Sequence, residues 1–305
     1  MSIRPIALAA ALVLAAGPVL AASSASVQLA NVQLRLVDLD TTDGITPSVS
    51  FVGGQSRGDA SISFNRPGAS GSENAAFNGL FASWEPGSAA VSGAYGAASS
   101  VLAGSGMANG SSLSTMGNAT APGGGFCLPG SDGFNSCFGS SASYGANLSP
   151  GNFFGQFVLS ANTLMVLSVE ASLSASATGG GRVDQFSFFQ FTNSDTASAA
   201  ASLQFSGLGP AGSGTQSSSD NRSMFVSAIY DFGTGQFLPS ADSFVGSMAV
   251  SFTNLTGSSL MGDYNISLAV NGTAYGDALL VPEPGSWALM LAGLAAVAGV
   301  ARRRR

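Results

Sequence analysis

Histidine and lysine are absent from this 305-residue chain, and charged residues make up only 9% of it. Without histidine there is no Ser-His-Asp triad or Cys-His pair, and without lysine there is no Schiff base or Ser-Lys dyad. Glycoside hydrolysis needs only two carboxylates. However, Glu170 is predicted on the polar face of a strand, and Glu73 and Glu85 are predicted in Gly/Ser-rich loops. We therefore expect that the protein is not an enzyme.

Basic residues are scarce outside the two termini. Residues 22–281 contain five arginines and fifteen acidic residues, which gives a net charge near −10. Proteins that bind nucleic acids use clustered lysine and arginine to neutralise phosphates, so nucleic acid is excluded as a partner. The abundant Ser, Thr, Asn and Gly instead predict a hydroxyl-rich surface, which is compatible with hydrated polysaccharide.

Cysteine occurs only twice, at Cys127 and Cys137. The nine residues between them are rich in Pro, Gly, Asp and Asn, which favours a turn that brings the two thiols together. In an exported chain we expect this pair to form a disulfide. Closing so short a loop stabilises a fold by about 2 to 3 kcal/mol, so the bond would fix one loop and not the whole fold. A metal site or a reactive thiol would need partner residues that this chain lacks.

Apolar and polar residues alternate through most of the chain, most clearly at 165–173, 244–252 and 264–270. Period two predicts strands with one face in water, and Gly, Asn, Asp, Ser and Pro separate these runs. The aromatic run at 186–191 predicts a strand in the middle of a sandwich. No amphipathic helix of ordinary length is indicated.

These patterns predict an all-β fold, namely an antiparallel β-sandwich or jelly-roll-like single domain over residues 23–281. Residues 67–150 are rich in Gly, Ser and Ala and poor in long apolar side chains. We expect long loops and short edge strands there, with local disorder. A separate small domain is the alternative for this segment.

Three aspartates, Asp38, Asp40 and Asp43, precede Gly44. Carboxylates this close together, with a glycine that permits a sharp turn, can converge on Ca²⁺. The spacing differs from that of an EF-hand loop. The alternative is that Asp38 and Asp40 project from a strand end while Asp43 and Gly44 form a turn. Apart from calcium at this place, the sequence predicts no cofactor.

Residues 1–22 have the layout of a secretory signal peptide. Arg4 provides the positive charge, residues 6–16 provide the apolar core, and small residues end the segment at Ala21 and Ala22. We expect transport through the Sec translocon, followed by cleavage by signal peptidase after Ala21 or Ala22.

The C-terminal segment 282–305 joins three features in a fixed order after Val281: a Pro-Glu-Pro motif, an uncharged apolar run and a terminal arginine cluster. They are Pro282, Glu283 and Pro284, then residues 286–301, then Arg302, Arg303, Arg304 and Arg305. As a helix the apolar run would be about 24 Å long, slightly shorter than the ~30 Å hydrocarbon core of a bilayer. The sequence therefore predicts a short transmembrane helix. Its arginines should stay cytoplasmic, which leaves the preceding domain outside.

This tail resembles the PEP-CTERM sorting signal of Gram-negative bacteria. The resemblance implies that an exosortase recognises the chain in the inner membrane and cuts it near the Pro-Glu-Pro motif. It also implies transient anchoring in that membrane, followed by delivery to the cell surface or the extracellular space. An ordinary tail anchor is the alternative. The exported parts of this family are diverse, so the resemblance implies no activity for residues 23–281.

Two functions stay open for the exported domain. Because the resemblance implies export alongside exopolysaccharide, it favours a structural or interaction protein of the surface or biofilm matrix. The alternative is a carbohydrate-binding or other ligand-binding module that uses exposed aromatic rings. The candidate rings for glycan contact are Trp84, Tyr95 and Tyr144.

Overall fold

The computed structural model describes residues 21–276, apart from 53–54, 67, 81–84, 104–108, 122–125, 130–134, 151–154, 179–180, 187–188, 210–213 and 235. All regular elements of the described residues are strands. In chain order they are β1 (Ala22–Asp38), β2 (Val49–Val52), β3 (Gln55–Arg66), β4 (Ala69–Leu80), β5 (Gly87–Gly93), β6 (Gly96–Ala103), β7 (Ser112–Thr120), β8 (Phe126–Pro129), β9 (Asn135–Phe138), β10 (Ser140–Pro150), β11 (Gly155–Leu159), β12 (Thr163–Ala177), β13 (Gly181–Phe186), β14 (Phe189–Ser194), β15 (Thr196–Leu208), β16 (Thr215–Ser227), β17 (Ile229–Asp231), β18 (Gln236–Leu238), β19 (Ser240–Asn254) and β20 (Leu260–Gly276).

Most of these strands belong to two large antiparallel sheets. The first sheet has the order β19-β12-β1-β7-β6-β5, and the second has the order β16-β15-β20-β10-β3-β4. In the second sheet β11 pairs with β20 beyond the end of β10, and β2 pairs with β11. The inner faces of the two sheets share one cluster of buried apolar residues. The prediction of an antiparallel all-β fold is confirmed, and the arrangement is that of a β-sandwich.

The period-two pattern places the expected side chains in the core. On β12, Met165, Leu167, Val169, Ala171 and Leu173 are all buried, and the polar residues between them are not. Strands β19 and β20 alternate in the same way. The alternation follows from strand geometry, because successive side chains point to opposite faces of a sheet.

One edge of the sandwich is closed by side chains, where β16 runs beside β19. Edge strands expose unpaired N–H groups that can pair with other chains. Here three β16 side chains, each two residues apart, bond these outward-facing groups of β19. Asp220 Oδ2 accepts from Ala249 N at 3.2 Å, and Ser218 Oγ accepts from Ser251 N at 3.2 Å. With its amide assigned in the orientation that satisfies both atoms, Gln216 accepts from Thr253 N at 3.1 Å and donates to Thr253 O at 3.0 Å.

Residues 67–150 depart from the expectation of loops and short edge strands. Strands β4 and β5 do lie at sheet edges, but β7 and β10 lie inside the two sheets. Strand β10 points Ala142, Tyr144, Ala146 and Leu148 into the core. Two of these four residues are alanines, whose small apolar surface weakens the hydrophobic signal of the alternation.

The aromatic run at 186–191 does not form one central strand, so that prediction is wrong. Strand β13 ends at Phe186 and β14 begins at Phe189, and these two residues pair with each other in a separate two-stranded sheet. The chain therefore reverses direction between them. Periodicity alone could not reveal this turn, because no glycine, proline or asparagine marks it in the sequence.

Stability should fall at alkaline pH because two tyrosines are buried. Burial raises the pKa of Tyr144 to about 12, although a hydrogen bond with Ser23 offsets part of the effect, and burial also raises the pKa of Tyr264. In the unfolded chain both ionise near their usual value of about 10. Between about pH 10 and 12 the unfolded state therefore binds fewer protons, and the free energy of unfolding falls by up to about 1.4 kcal/mol per pH unit for each tyrosine.

Urea unfolding at a series of alkaline pH values measures this effect. Because the chain lacks lysine, tyrosines dominate the titration in this range. The double variant Tyr144→Phe/Tyr264→Phe should lose most of the slope, and an unchanged slope in that variant would contradict the assignment.

Candidate functional site

A cavity of about 250 Å³ opens between the two sheets near their β4 and β5 edges. Strands β3 and β4 supply one wall, and the turn at 94–95 between β5 and β6 supplies the other. A Cβ at Gly71 would stand 2.6 Å from Phe64 Cε1, and a Cβ at Gly93 would stand 3.1 Å from Ile62 Cδ1. Because glycine has no side chain, Phe64 can extend over Gly71 and Ile62 can extend over Gly93, and the space between them stays open.

Two aromatic rings form the apolar part of this cavity. The ring centroids of Phe64 and Tyr95 are 4.9 Å apart, and the ring planes are inclined at 50°. Tilted pairs at this distance attract each other, so each ring holds the other in place. Both side chains are half-buried, which leaves part of each ring accessible from the cavity.

Opposite charges flank the two rings. Ile62, Phe64 and Arg66 occupy alternate positions of β3 and so share its inner face, and Glu73 of β4 stands opposite Ile62. The Arg66 guanidinium carbon lies 5.8 Å from the centroid of the Tyr95 ring, within cation–π distance. Arg66 and Glu73 are exposed despite their inner-face positions. An apolar surface with a few polar groups at its rim is typical of small-ligand sites.

Of the three aromatic residues predicted as glycan contacts, the structure places one in this cavity. Tyr95 lies in this cavity, and its glycan contact stays a prediction. Trp84 lies outside the described residues. The prediction of an exposed Tyr144 is wrong, since only 4% of this side chain is exposed. It lies on inner strand β10, where its ring occupies the space that a Cβ at Gly117 would need and its hydroxyl occupies part of the space that a Cβ at Gly272 would need.

Sequence reasoning missed Phe64, Arg66 and Glu73 as candidate site residues. Glu73 lies in β4 and not in the expected loop. A signal was available, because the alternation of Ile62, Phe64 and Arg66 leads directly into Pro-Gly, which marks a turn. Glu170, in contrast, is exposed on β12 as predicted, and its Oε2 accepts a hydrogen bond from Asn31 Nδ2 at 2.6 Å.

The three aspartates at the end of β1 and in the loop after it accept hydrogen bonds from nearby protein groups. Asp38 Oδ1 accepts from Asp40 N at 2.9 Å, and Asp43 accepts from Asn162 Nδ2 at 2.7 Å and from the backbone N two residues on. Hydrogen bonds from the hydroxyl and the backbone N of Thr42 lower the pKa of Asp40. The bonds from the backbone N of Asp40, Thr42 and Ile45 to the aspartate two residues earlier form Asx turns. Among the described residues, no group of three or more His, Cys, Asp or Glu side chains could hold a metal ion.

The two cysteines occupy a small hairpin of their own. Strands β8 and β9 pair so that Cys127 stands directly opposite Cys137. Opposite residues of an antiparallel pair have Cα atoms about 4.5 or 5.5 Å apart, which is within the range that a disulfide requires. The disulfide stays a prediction, and the backbone register is compatible with it.

The tail begins where the described part of the chain stops. Strand β20 ends at Gly276, and a family model described as the PEP-CTERM protein-sorting motif matches residues 280–305. This chain carries a PEP-CTERM sorting signal. The PEP-CTERM signal implies export, passage through the membrane and processing by an exosortase.

Other comparisons add little to the PEP-CTERM match. No curated protein matches the chain. A solved structure described as "Structural basis for the promiscuous specificity of the carbohydrate-binding modules from the beta-sandwich super family" aligns with 11% identity over 81% of this chain and 95% of that chain, with a TM-score of 0.10. Likeness at this level carries no argument about fold or ligand.

The membrane-related predictions fall outside the described part of the chain. Within 21–276, excluding its gaps, no helix is long and apolar enough to cross a bilayer. The predicted transmembrane helix at 286–301 and residues 1–20 of the predicted signal peptide lie beyond that range. Of the predicted signal peptide, the structure describes only the two predicted cleavage positions. Ala21 is buried, and Ala22 is the first residue of β1.

Proposed function

We propose that this chain is an exported protein of the surface or extracellular matrix of a Gram-negative bacterium, with a structural or interaction role at exopolysaccharide in a biofilm. The PEP-CTERM match at 280–305 carries the proposal. The hydroxyl-rich composition and the net charge near −10 of residues 22–281 support it, since they suit a hydrated polysaccharide and not nucleic acid. We assign no catalytic step to the protein.

The proposed route begins with Sec transport and includes an early cut by signal peptidase and a late cut by an exosortase. Ala22 N donates to Thr178 Oγ1 at 2.9 Å, and Ala21 O accepts from Ala121 N at 3.0 Å. Signal peptidase would therefore have to cut before β1 joins its sheet, because folding removes these residues from reach. The apolar run at 286–301 then holds the chain in the inner membrane, with Arg302 to Arg305 cytoplasmic, until an exosortase cuts near Pro282.

Fractionation of the native host tests the proposal. The full chain and a chain that ends before Pro282 are expressed at equal levels, and each is measured in washed exopolysaccharide. The full chain should accumulate in that fraction, and the shortened chain should not. Equal amounts of both would contradict the sorting route. A full chain that leaves the cell but never co-purifies with exopolysaccharide would contradict the matrix role.

A second candidate function is ligand binding at the Phe64–Tyr95 cavity. Sugars present apolar C–H faces that stack on aromatic rings, together with hydroxyl groups that bond to charged side chains. The cavity offers both kinds of partner, because Phe64, Tyr95 and Glu73 line it and the Arg66 guanidinium lies 5.8 Å from the Tyr95 ring. Its volume of about 250 Å³ lies just below the roughly 300 to 1,000 Å³ of usual ligand pockets, so it suits one or two residues of a glycan and not a large ligand.

Tyr95→Ala should weaken binding of the host exopolysaccharide about tenfold, since an aromatic contact contributes roughly 0.5 to 1.5 kcal/mol beyond its buried area. The conservative Glu73→Gln variant should weaken it less. Phe225→Ala is the matched control, because this aromatic residue is 68% exposed on strand β16 away from the cavity. Equal retention of all four proteins in affinity electrophoresis would contradict a glycan site at this cavity.

A further inference from the structure

Both ends of the described domain lie at the same end of the sandwich, here called the exit pole. Strand β1 begins there at Ala22, and β20 ends there at Gly276. The two are linked through one hydrogen bond, since Ser23 Oγ donates to Thr196 O, and Thr196 pairs with Thr273 of β20. The chain therefore enters the PEP-CTERM tail from the exit pole.

An aromatic hairpin, residues 229–238, projects from the same pole. It consists of β17 and β18 and connects the edge strand of one sheet to the edge strand of the other. Its base is fixed beside the end of β20, because Ala228 N donates to Asp195 O at 2.9 Å and Asp195 Oδ1 accepts from Tyr275 N at 2.7 Å. The hairpin thus lies within a few residues of the point where the chain leaves the domain.

The hairpin presents apolar side chains to solvent around an aromatic cluster. The Tyr230 ring lies 5.0 Å from the ring of Phe232 and 5.0 Å from the ring of Phe237, centroid to centroid. Phe232 is 76% exposed and Ile229 is 66% exposed. The hairpin has no basic residue and a single acidic one, Asp231, whose oxygens accept from Gly233 N and Thr234 Oγ1.

The segment between the domain and the apolar run is too short for the domain to invert relative to the membrane. Residues 277–285 separate Gly276 from the apolar run, and nine residues span at most about 32 Å when fully extended. The 17 residues of β1 span about 55 Å. While the apolar run occupies the bilayer, the exit pole therefore stays within about 32 Å of the membrane, and the domain cannot stand upright with this pole pointing away from it.

We propose that the aromatic hairpin at 229–238 contacts the headgroup region of a zwitterionic bilayer while the tail holds the domain. This inference rests on the proposed membrane-held intermediate. Aromatic side chains favour the membrane–water interface, and the net charge near −10 of residues 22–281 opposes binding to anionic lipid. The charged tip residue Asp231 keeps the contact shallow. The contact orients the domain, so that the Pro-Glu-Pro motif is presented at the membrane surface.

Three full-length proteins with a single tryptophan each test this contact in phosphatidylcholine vesicles that carry brominated acyl chains, which quench nearby indole fluorescence. The first keeps native Trp287 and carries Trp84→Phe, so it reports insertion of the tail. The other two carry Trp84→Phe and Trp287→Phe together with either Phe232→Trp at the hairpin or Leu208→Trp. Leu208 is the matched control, because it is 66% exposed at the opposite end of β15.

The expected result is quenching of Trp287 and of the Phe232→Trp protein, with no quenching of the Leu208→Trp protein. Quenching of Trp287 alone would overturn the hairpin contact and leave the membrane-held intermediate standing. Quenching of all three would overturn the fixed orientation. No quenching of Trp287 would overturn the membrane-held intermediate itself, and the hairpin contact with it. A blue shift of the Phe232→Trp protein that depends on protein concentration and not on lipid would mean that the hairpin binds a second copy, which also overturns the proposal.

Discussion

Replacing Phe157 with alanine is expected to lower the free energy of unfolding by about 3 to 5 kcal/mol. Phe157 is fully buried on β11. Its ring centroid lies 5.5 Å from that of Phe205 in the same sheet and 5.0 Å from that of Phe252 in the facing sheet. The ring also fills the space above Gly262, where a Cβ would stand 2.4 Å from Phe157 Cζ. Loss of the ring therefore leaves a cavity at the contact between the sheets.

Urea unfolding of the exported form measures this loss. The expected change is a large share of the roughly 5 to 15 kcal/mol by which domains are usually stable. Phe225→Ala is the control, since this residue is 68% exposed and such surface changes usually stay within about 0.5 kcal/mol. Similar losses for the two variants would mean that the sheets do not pack through Phe157.

Alanine substitution of Pro282, Glu283 and Pro284 together is expected to abolish maturation of the exported chain. Proline favours an extended backbone before it and disfavours a continuing helix, so we expect the Pro-Glu-Pro motif to give an accessible segment next to the membrane. Losing even one recognition contact of about 1.4 kcal/mol would reduce processing tenfold. We therefore expect a drop of at least this size, with the uncut chain retained in the inner membrane.

The chain contains its own control for this experiment. Glu85, Pro86 and Gly87 repeat the order Glu-Pro-Gly that follows Pro282, and Glu85 and Pro86 are exposed in the described domain. Substituting alanine for Glu85 and Pro86 should leave maturation unchanged. If both variants mature normally, the Pro-Glu-Pro motif does not direct the cut.

The strands whose core positions carry large side chains were predictable from the sequence. Met165 to Leu173 on β12 and Tyr264 to Val270 on β20 alternate strongly, and each buries the expected face. Strand β10 was not predictable in this way, because Ala142 and Ala146 bury little apolar area. Its place between β20 and β3 also depends on pairings with residues distant in the sequence.

The candidate site was only partly predictable for a related reason. Tyr95 is separated from Phe64 by thirty-one positions in the sequence, and the two rings meet only because β3 and the turn after β5 come together across the two sheets. Tyr144 shows the converse error, since it was predicted to be an exposed ring and is buried. Gly117 on β7 of the facing sheet and Gly272 on neighbouring β20 instead make room for that side chain in the core.

If the β-sandwich is exported and then separated from its C-terminal tail, the intact mass of the extracellular protein should show both cuts. We expect a chain that begins at Ala22 or Ser23 and ends near Pro282, so that it lacks both the signal peptide and residues 286–305. An extracellular chain whose mass still includes residues 286–305 would contradict it.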